Sequence, residues 1–309
     1  MPKISIIGAG NVGATCAQRL LEKGIADIIL ADIVEGLPQG KALDMQQTAP
    51  VCGFDTAITG TNDLALTAGS DVVIITSGIA RKPGMTRDQL IKTNAGIVAD
   101  VTKNVARHSP GCVMIIVTNP VDAMTYLALK TSGFPRERVL GLSGVLDGAR
   151  LSTFIAAELG VPVSDVSSLV MGEHGQNMVI FPRLSTVKGK PITGLLTPEA
   201  IARLKERAVN GGAEIVGLLK TGSAFYAPSA AAARMAESII RDRKEILACA
   251  AMLQGEYGLD DVVIGVPVRL GRNGIERIID IGLEDDELAA LKCSAGAVKK
   301  LIGLLQNGL

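Results

Sequence analysis

The chain has 309 residues with 31 basic and 31 acidic side chains, so its formal charge is zero. That balance excludes the net positive field on which nucleic-acid binders and polybasic membrane binders depend. Hydrophobic residues at 48% and charged residues at 20% exclude a disordered chain, and a chain of this length buries about 75% of its unfolded surface without needing a disulfide or metal staple.

In chain order, Ile4–Ile7, Ile28–Ala31, Val72–Thr76 and Val113–Val117 are short apolar runs, as expected of parallel strands covered on both faces. Helical patterns separate or follow them at Val12–Lys23, Gly40–Thr48, Gln89–His108 and Ala123–Ser132. Gly24 and Gly133 stand where the first and last of these should stop. The alternation predicts right-handed crossovers and an α/β fold built on a doubly wound parallel sheet. Beyond about residue 145 the pattern changes. Strands are predicted at Ser164–Met171, Val179–Val187, Val262–Gly271 and Ile275–Ile281, the last two joined as a hairpin through Arg272-Asn273-Gly274. Helices are predicted at Gly148–Leu159, Pro198–Leu219 and Pro228–Gly255. A final amphipathic helix, Glu284–Leu305, carries an apolar stripe of Leu288, Leu291, Ala295, Val298, Ile302 and Leu305. The second part reads as α+β, which divides the chain into domains 1–144 and 145–309.

Cys16, Cys52, Cys112, Cys249 and Cys293 are odd in number and lack paired spacing. They read as buried or idle thiols of a reducing compartment rather than as a disulfide or metal framework. With two His and no Cys pair, no metal site is expected. No apolar run reaches the ~18 residues of a membrane span. Lys3 leads straight into a short strand and a glycine turn, without the signature of a signal peptide, so a cytoplasmic location is the expectation.

Gly8-Ala9-Gly10-Asn11-Val12-Gly13 joins the first strand to the first helix. In that context the first glycine allows a tight turn, the second lets a diphosphate approach the backbone, and the third lets helix and strand pack closely. The helix N-terminus adds free N–H groups and partial positive charge. Asp32 closes the second strand, where a carboxylate accepts ribose hydroxyls and repels a 2′-phosphate; Ile33 follows, so no adjacent Arg welcomes that phosphate. NAD is favoured over NADP. The alternative is a glycine turn beside an ordinary surface Asp.

Val117-Thr118-Asn119-Pro120 follows another strand at the sheet edge where open sheets bind ligands. Asn119, held extended by Pro120, faces a cleft or serves a structural turn. His174, in Gly172-Glu173-His174-Gly175, has glycines on both sides and is the candidate proton shuttle. His108 sits near a helix end and reads as a solvent-facing terminus residue. In Asp147-Gly148-Ala149-Arg150, Asp147 is either an N-cap or the holder of an imidazole, and Arg150 is placed to clamp a carboxylate through its fork. The segment from Ser77-Gly78 through Arg81-Lys82-Pro83-Gly84-Met85 to Arg87 is either a solvated loop or a lid carrying cations onto an anionic substrate.

Taken together and in this order, these motifs resemble the lactate/malate dehydrogenase family of 2-hydroxy-acid dehydrogenases over essentially all 309 residues. Within that family the chain looks most like the lactate-dehydrogenase-like malate dehydrogenases. The resemblance implies a Rossmann NAD-binding domain followed by a catalytic α+β domain. It implies that His174 exchanges the substrate proton while the nicotinamide exchanges a hydride. Asp147 then orients and stabilises the imidazole, Arg87 polarises the carbonyl from the lid, and Arg150 grips the C1 carboxylate. Asn119 places substrate and nicotinamide, while Ser77, Gly78, Asn94, Val117 and Thr118 join the glycine loop and Asp32 around the cofactor.

The resemblance also makes Arg81 the residue that selects the acid, since a cation there accompanies four-carbon diacids and Gln accompanies lactate. Leaving a second, buried carboxylate unpaired costs about 3–5 kcal/mol, so malate and oxaloacetate are the expected substrate pair. Lactate dehydrogenase is the alternative, and a catalytically silent NAD-binding protein is a more remote one. Glu173 and Gln176 depart from the pattern of related malate enzymes, close to the proton shuttle. Ala224 is small, as a malate-type pocket requires. Relatives in this family are homo-oligomers, dimers or tetramers. The first strand begins at once, without the N-terminal arm of many lactate dehydrogenases, and a homotetramer is expected.

Asp32 yields a direct test. NADPH should replace NADH poorly, and Asp32→Ser should raise NADPH use relative to NADH; an unchanged ratio of kcat/KM values would assign the choice to another residue.

Overall fold

The computed structural model describes residues 1–79 and 87–306, with Arg87 and Gln306 described by their backbone alone. The first half contains strands β1 (Lys3–Ile7), β2 (Asp27–Ala31), β3 (Ile58–Thr61), β4 (Val72–Ile75), β5 (Val113–Ile116) and β6 (Val139–Leu142). Helices α1 (Asn11–Glu22), α2 (Leu37–Gln47), α3 (Ala49–Cys52), α4 (Arg87–His108) and α5 (Val121–Ser132) lie between them. The six strands are parallel in the order β3-β2-β1-β4-β5-β6. Every residue of β4 and β5 is buried, which is why those runs are apolar without alternation.

The second half begins with α6 (Gly144–Leu159), directly after β6. Strands β7 (Val166–Ser167), β8 (Val170–Gly172), β9 (Met178–Ile180), β10 (Thr186–Val187) and β11 (Lys190–Pro191) follow, then α7 (Pro198–Leu219) and α8 (Tyr226–Ile240). The chain ends with β12 (Glu245–Gln254), β13 (Asp260–Gly271), β14 (Gly274–Ile278) and α9 (Asp285–Gln306). Strand β12 pairs antiparallel with β6 and continues the sheet into β13, β8 and β9, with β14 on β13; β7, β10 and β11 form a separate small sheet. One sheet therefore runs through both halves, and the carboxyl ends of β1, β4, β5 and β6 open on one edge beside β8.

Several sequence expectations need correction. The single helix predicted over Pro228–Gly255 is helix α8 followed by strand β12. Asp242 and Lys244, with φ of 49° and 55°, turn the chain between them. The strand is rich in Ala because its neighbours come close: a Cβ on Gly144 would lie 2.6 Å from the Ala248 Cβ, and one on Gly141 would lie 3.1 Å from the Ala250 Cβ. Ala is also the best helix former, so propensity misleads here and tertiary packing decides. The strands predicted at Ser164–Met171 and Val179–Val187 are each broken by a short 3-10 turn or an irregular step. Strands β3 and β6 were not expected. Each is only four residues long and contains a glycine needed for close approach; a Cβ on Gly60 would lie 2.2 Å from the Pro38 carbonyl oxygen. Among the described residues, no helix is long and apolar enough to cross a membrane.

Candidate active site

The site is built on Asp147. Helix α6 starts at Gly144, so Asp147 lies in its first turn rather than at the N-cap, which is Ser143. Its side chain is 1% exposed. One carboxylate oxygen, Oδ2, lies 2.6 Å from Nδ1 of His174, and the other, Oδ1, accepts from Nη1 of Arg150 at 3.2 Å. A carboxylate partner fixes the proton on Nδ1, which leaves Nε2 as the basic nitrogen. His174 is 14% exposed and stands in the turn from β8 to β9. Arg150 retains a buried Nε with no partner among the described residues. Helix α7 runs beside this side chain at two glycines: Cβ atoms on Gly211 and Gly212 would lie in ordinary contact, 3.4 Å from its Cδ and 3.5 Å from its Nη2.

A residue missed in the sequence holds His174 from behind. Asp122, in the first turn of α5 and buried, accepts from the His174 backbone N–H at 2.8 Å through Oδ2. Its Oδ1 is buried without a partner among the described residues. Burial raises its pKa to about 7, against the lowering effect of that N–H and of the nearby imidazole. The available signal was an acid two residues after Pro120, which also belongs to a helix N-terminus. Glu173 turns away from the cavity: it is buried, its carboxylate accepts from the backbone and side chain of Asn177, and its N–H donates to Ser294 Oγ of α9 at 2.8 Å. Burial of the His174 ring depresses its proton affinity, but Asp147 and then Asp122 outweigh that effect, so its pKa lies above the ordinary 6.5.

A cavity of about 380 Å³ brings together Val12, Val117, Asn119, Asp147, Arg150 and His174. Gln176 and Ala224 also line it, as do Gly212, Ala213 and Val216 of α7, which sequence reasoning did not single out. A second cavity, about 490 Å³, is lined by Gly8, Gly10, Asp32, Ser77 and Gly78. The remaining residues assigned to the cofactor line neither. Ala9 donates its N–H to Asp32 Oδ2 at 2.6 Å, and the Thr118 hydroxyl donates to the Ser77 carbonyl at 2.7 Å. Asn94 ties two segments together, accepting from Ile79 N–H at 2.9 Å and donating to the Asn119 carbonyl at 2.8 Å. Asn11 opens α1, and Gly13 lies beneath the turn. Arg81 and the side chain of Arg87 lie outside the described residues.

The second cavity fits the ribose and diphosphate end of a dinucleotide. A Cβ on Gly13 would lie 1.9 Å from the Gly8 carbonyl oxygen, so that glycine is set by helix–strand packing, whereas a Cβ on Gly10 would meet nothing. The open space at Gly10 faces the N-terminus of α1, whose free N–H groups suit a diphosphate. The Ser77 hydroxyl is buried at the cavity without a partner among the described residues.

Two family descriptions match the chain: "lactate/malate dehydrogenase, NAD binding domain" over residues 2–141, and "lactate/malate dehydrogenase, alpha/beta C-terminal domain" over residues 144–307. A malate dehydrogenase of Dehalococcoides mccartyi is 59% identical over 305 residues, covering 99% of each chain. The solved malate dehydrogenase of Salinibacter ruber superposes with a TM-score of 0.95 at 50% identity, covering 99% of this chain and 98% of that one. A Cryptosporidium parvum lactate dehydrogenase, solved with lactic acid and β-nicotinamide adenine dinucleotide, gives a TM-score of 0.95 at 39% identity, covering 99% and 98%.

The carboxylates around His174 make its titration a test of the site. The chain has two histidines, so histidine-selective NMR resolves both. The His174 ring should titrate above 6.5. Asp147→Asn, which removes the anion and leaves burial less opposed, should move that transition to lower pH. A wild-type transition at or below the ordinary value, or one that the substitution leaves unmoved, would contradict the geometry.

Proposed function

The chain belongs to the lactate/malate dehydrogenase family, and from that premise we propose that it is an NAD-dependent malate dehydrogenase interconverting (S)-malate and oxaloacetate. The observation that carries this reading is the buried carboxylate of Asp147 shared between His174 and Arg150 at one cavity. NAD, when bound, supplies the hydride acceptor for malate oxidation and, in reduced form, the donor for the reverse direction. Neutral His174 takes the substrate hydroxyl proton on Nε2 while its Nδ1–H stays on Asp147, and the ring returns that proton in reduction. The cation formed on the ring is stabilised by Asp147, as the imidazolium of other dehydrogenases and hydrolases is stabilised by a buried acid. Arg150 presents its fork to the C1 carboxylate. We assign the second carboxylate to Arg81 and carbonyl polarisation to Arg87, both from the sequence. Asn119 orients the substrate from the edge of the cavity. Gly8, Gly10, Asp32, Ser77 and Gly78 hold the dinucleotide, while Ala9, Asn11, Val12, Gly13, Asn94, Val117 and Thr118 shape the walls around it.

We further read the protein as a cytoplasmic homotetramer with a domain division at 144/145. Large apolar side chains support self-association: Val51 of α3 is 86% exposed and Leu218 of α7 is 76% exposed. Light scattering should return four times the chain mass, and a monomer would overturn that assignment.

Substrate choice is tested with NADH and the two keto acids. Oxaloacetate should exceed pyruvate in kcat/KM by about two decades or more, the equivalent of one unpaired buried charge. Arg81→Gln should narrow that ratio, and His174→Asn should still bind NADH while losing several decades of turnover. Equal wild-type rates with both keto acids would point to a lactate-type pocket instead.

A further inference from the structure

Helix α4 brings two polar side chains to the dinucleotide cavity that neither the glycine loop nor the catalytic centre uses. Helix α4 presents Ile97, Asp100, Val101 and Asn104 to it, at the spacing that puts four residues on one helical face. The two apolar members line the same cavity as Ile33 and Val34, which follow the end of β2. Ile33 is 96% exposed, an apolar side chain in a cleft with nothing of the protein covering it. A flat heterocycle between these walls gives both faces apolar contact. Its place along the cofactor is set by Asp32, the ribose carboxylate, which adjoins Ile33, while His174 marks the nicotinamide end in the other cavity. The apolar slot therefore receives the adenine ring.

The edge of that ring then meets acceptors. The Asp100 carboxylate has no ion-pair or hydrogen-bond partner among the described residues. Asn104 commits its Nδ2 to the Asp100 backbone carbonyl at 2.8 Å, leaving Oδ1 for a ligand. None of the described residues lining this cavity is a cation. We propose that Asp100 and Asn104 read the 6-amino group of the dinucleotide's purine, so that the protein discriminates adenine from a 6-oxopurine. An exocyclic amine offers two donors to these oxygens, whereas a 6-oxo group places acceptor against acceptor and leaves only the neighbouring ring N1–H to donate. The inference rests on the NAD-dependent reading above and adds a base-specific contact to it.

The test is an equilibrium titration of the full-length protein with NADH and with reduced nicotinamide hypoxanthine dinucleotide, followed by nicotinamide fluorescence. The chain contains no Trp, so that emission is read without indole transfer. Wild-type protein should bind the hypoxanthine form about fivefold more weakly, the measure of one hydrogen bond at a solvent-open rim. Asp100→Ala and Asn104→Ala, singly and together, should bring the ratio of the two Kd values toward one. Both substitutions put the best helix former on an existing helix, and a ratio taken within one protein cancels any general loss of affinity. Equal wild-type binding of both dinucleotides, or a preference that survives the double substitution, would overturn the base contact. If neither dinucleotide bound, the NAD-dependent reading itself would fall.

Discussion

Asp147, itself almost wholly buried, brings a base and a cation together at the wall of one cavity. A carboxylate buried without partners is costly. Here two donors from different directions occupy its two oxygens, His174 from the β8–β9 turn and Arg150 from the next turn of its own helix. Removing any one of the three leaves a charge or a donor unpaired, and that penalty exceeds what the pair contributes while intact. The constraint reaches back into the fold. Asp147 can occupy this point only because α6 starts immediately after β6, the last parallel strand, and because β13 brings β8 alongside through the Gly265–Gly172 pair.

Three acids surround one histidine, with different tasks. Asp147 contacts the ring, Asp122 contacts the backbone of the same residue, and Glu173 is drawn away to Asn177. Placing all three as anions around a neutral imidazole would be costly in a dry interior. The burial that lifts Asp122 to about 7 relieves part of that repulsion, because this acid is part-protonated near neutrality. A proton gained by the imidazole is felt by Asp122, whose own affinity for a proton falls in response, so the depth of Asp122 matters as much as its charge.

The legible parts of the sequence were those with local causes. Glycines between a strand and a helix, unbroken apolar strands and the Asn-Gly hairpin at Asn273-Gly274 each act through their own backbone, and β1, β2, β4, β5, α7 and the β13–β14 hairpin stand close to where those signals put them. Strand β12 was illegible because its Ala-rich composition answers the approach of α6 and β6, which only the folded sheet creates. Asp122 was illegible for a similar reason. Its partner is a backbone N–H fifty-two positions away, and an acid in the first turn of a helix already has a sufficient local explanation. Asp147 lay between these cases: its spacing to Arg150 was visible, while its choice between capping a helix and holding an imidazole depended on where α6 begins.

Local helix propensity is lower where α7 passes the site. Gly211 and Gly212 sit inside α7, where each costs about 1 kcal/mol relative to Ala. A Cβ at either position would come into ordinary van der Waals contact with Arg150, at its Cδ and at its Nη2, so α7 runs directly beside that side chain. The helix tolerates the two glycines because Leu204 and Ala208 are buried earlier along its length, in the smaller core shared with Leu151 and Ile155 of α6. Packing before the glycines anchors α7 against α6, the helix that carries both Asp147 and Arg150, so the wall of the cavity that α7 supplies is fixed relative to that pair.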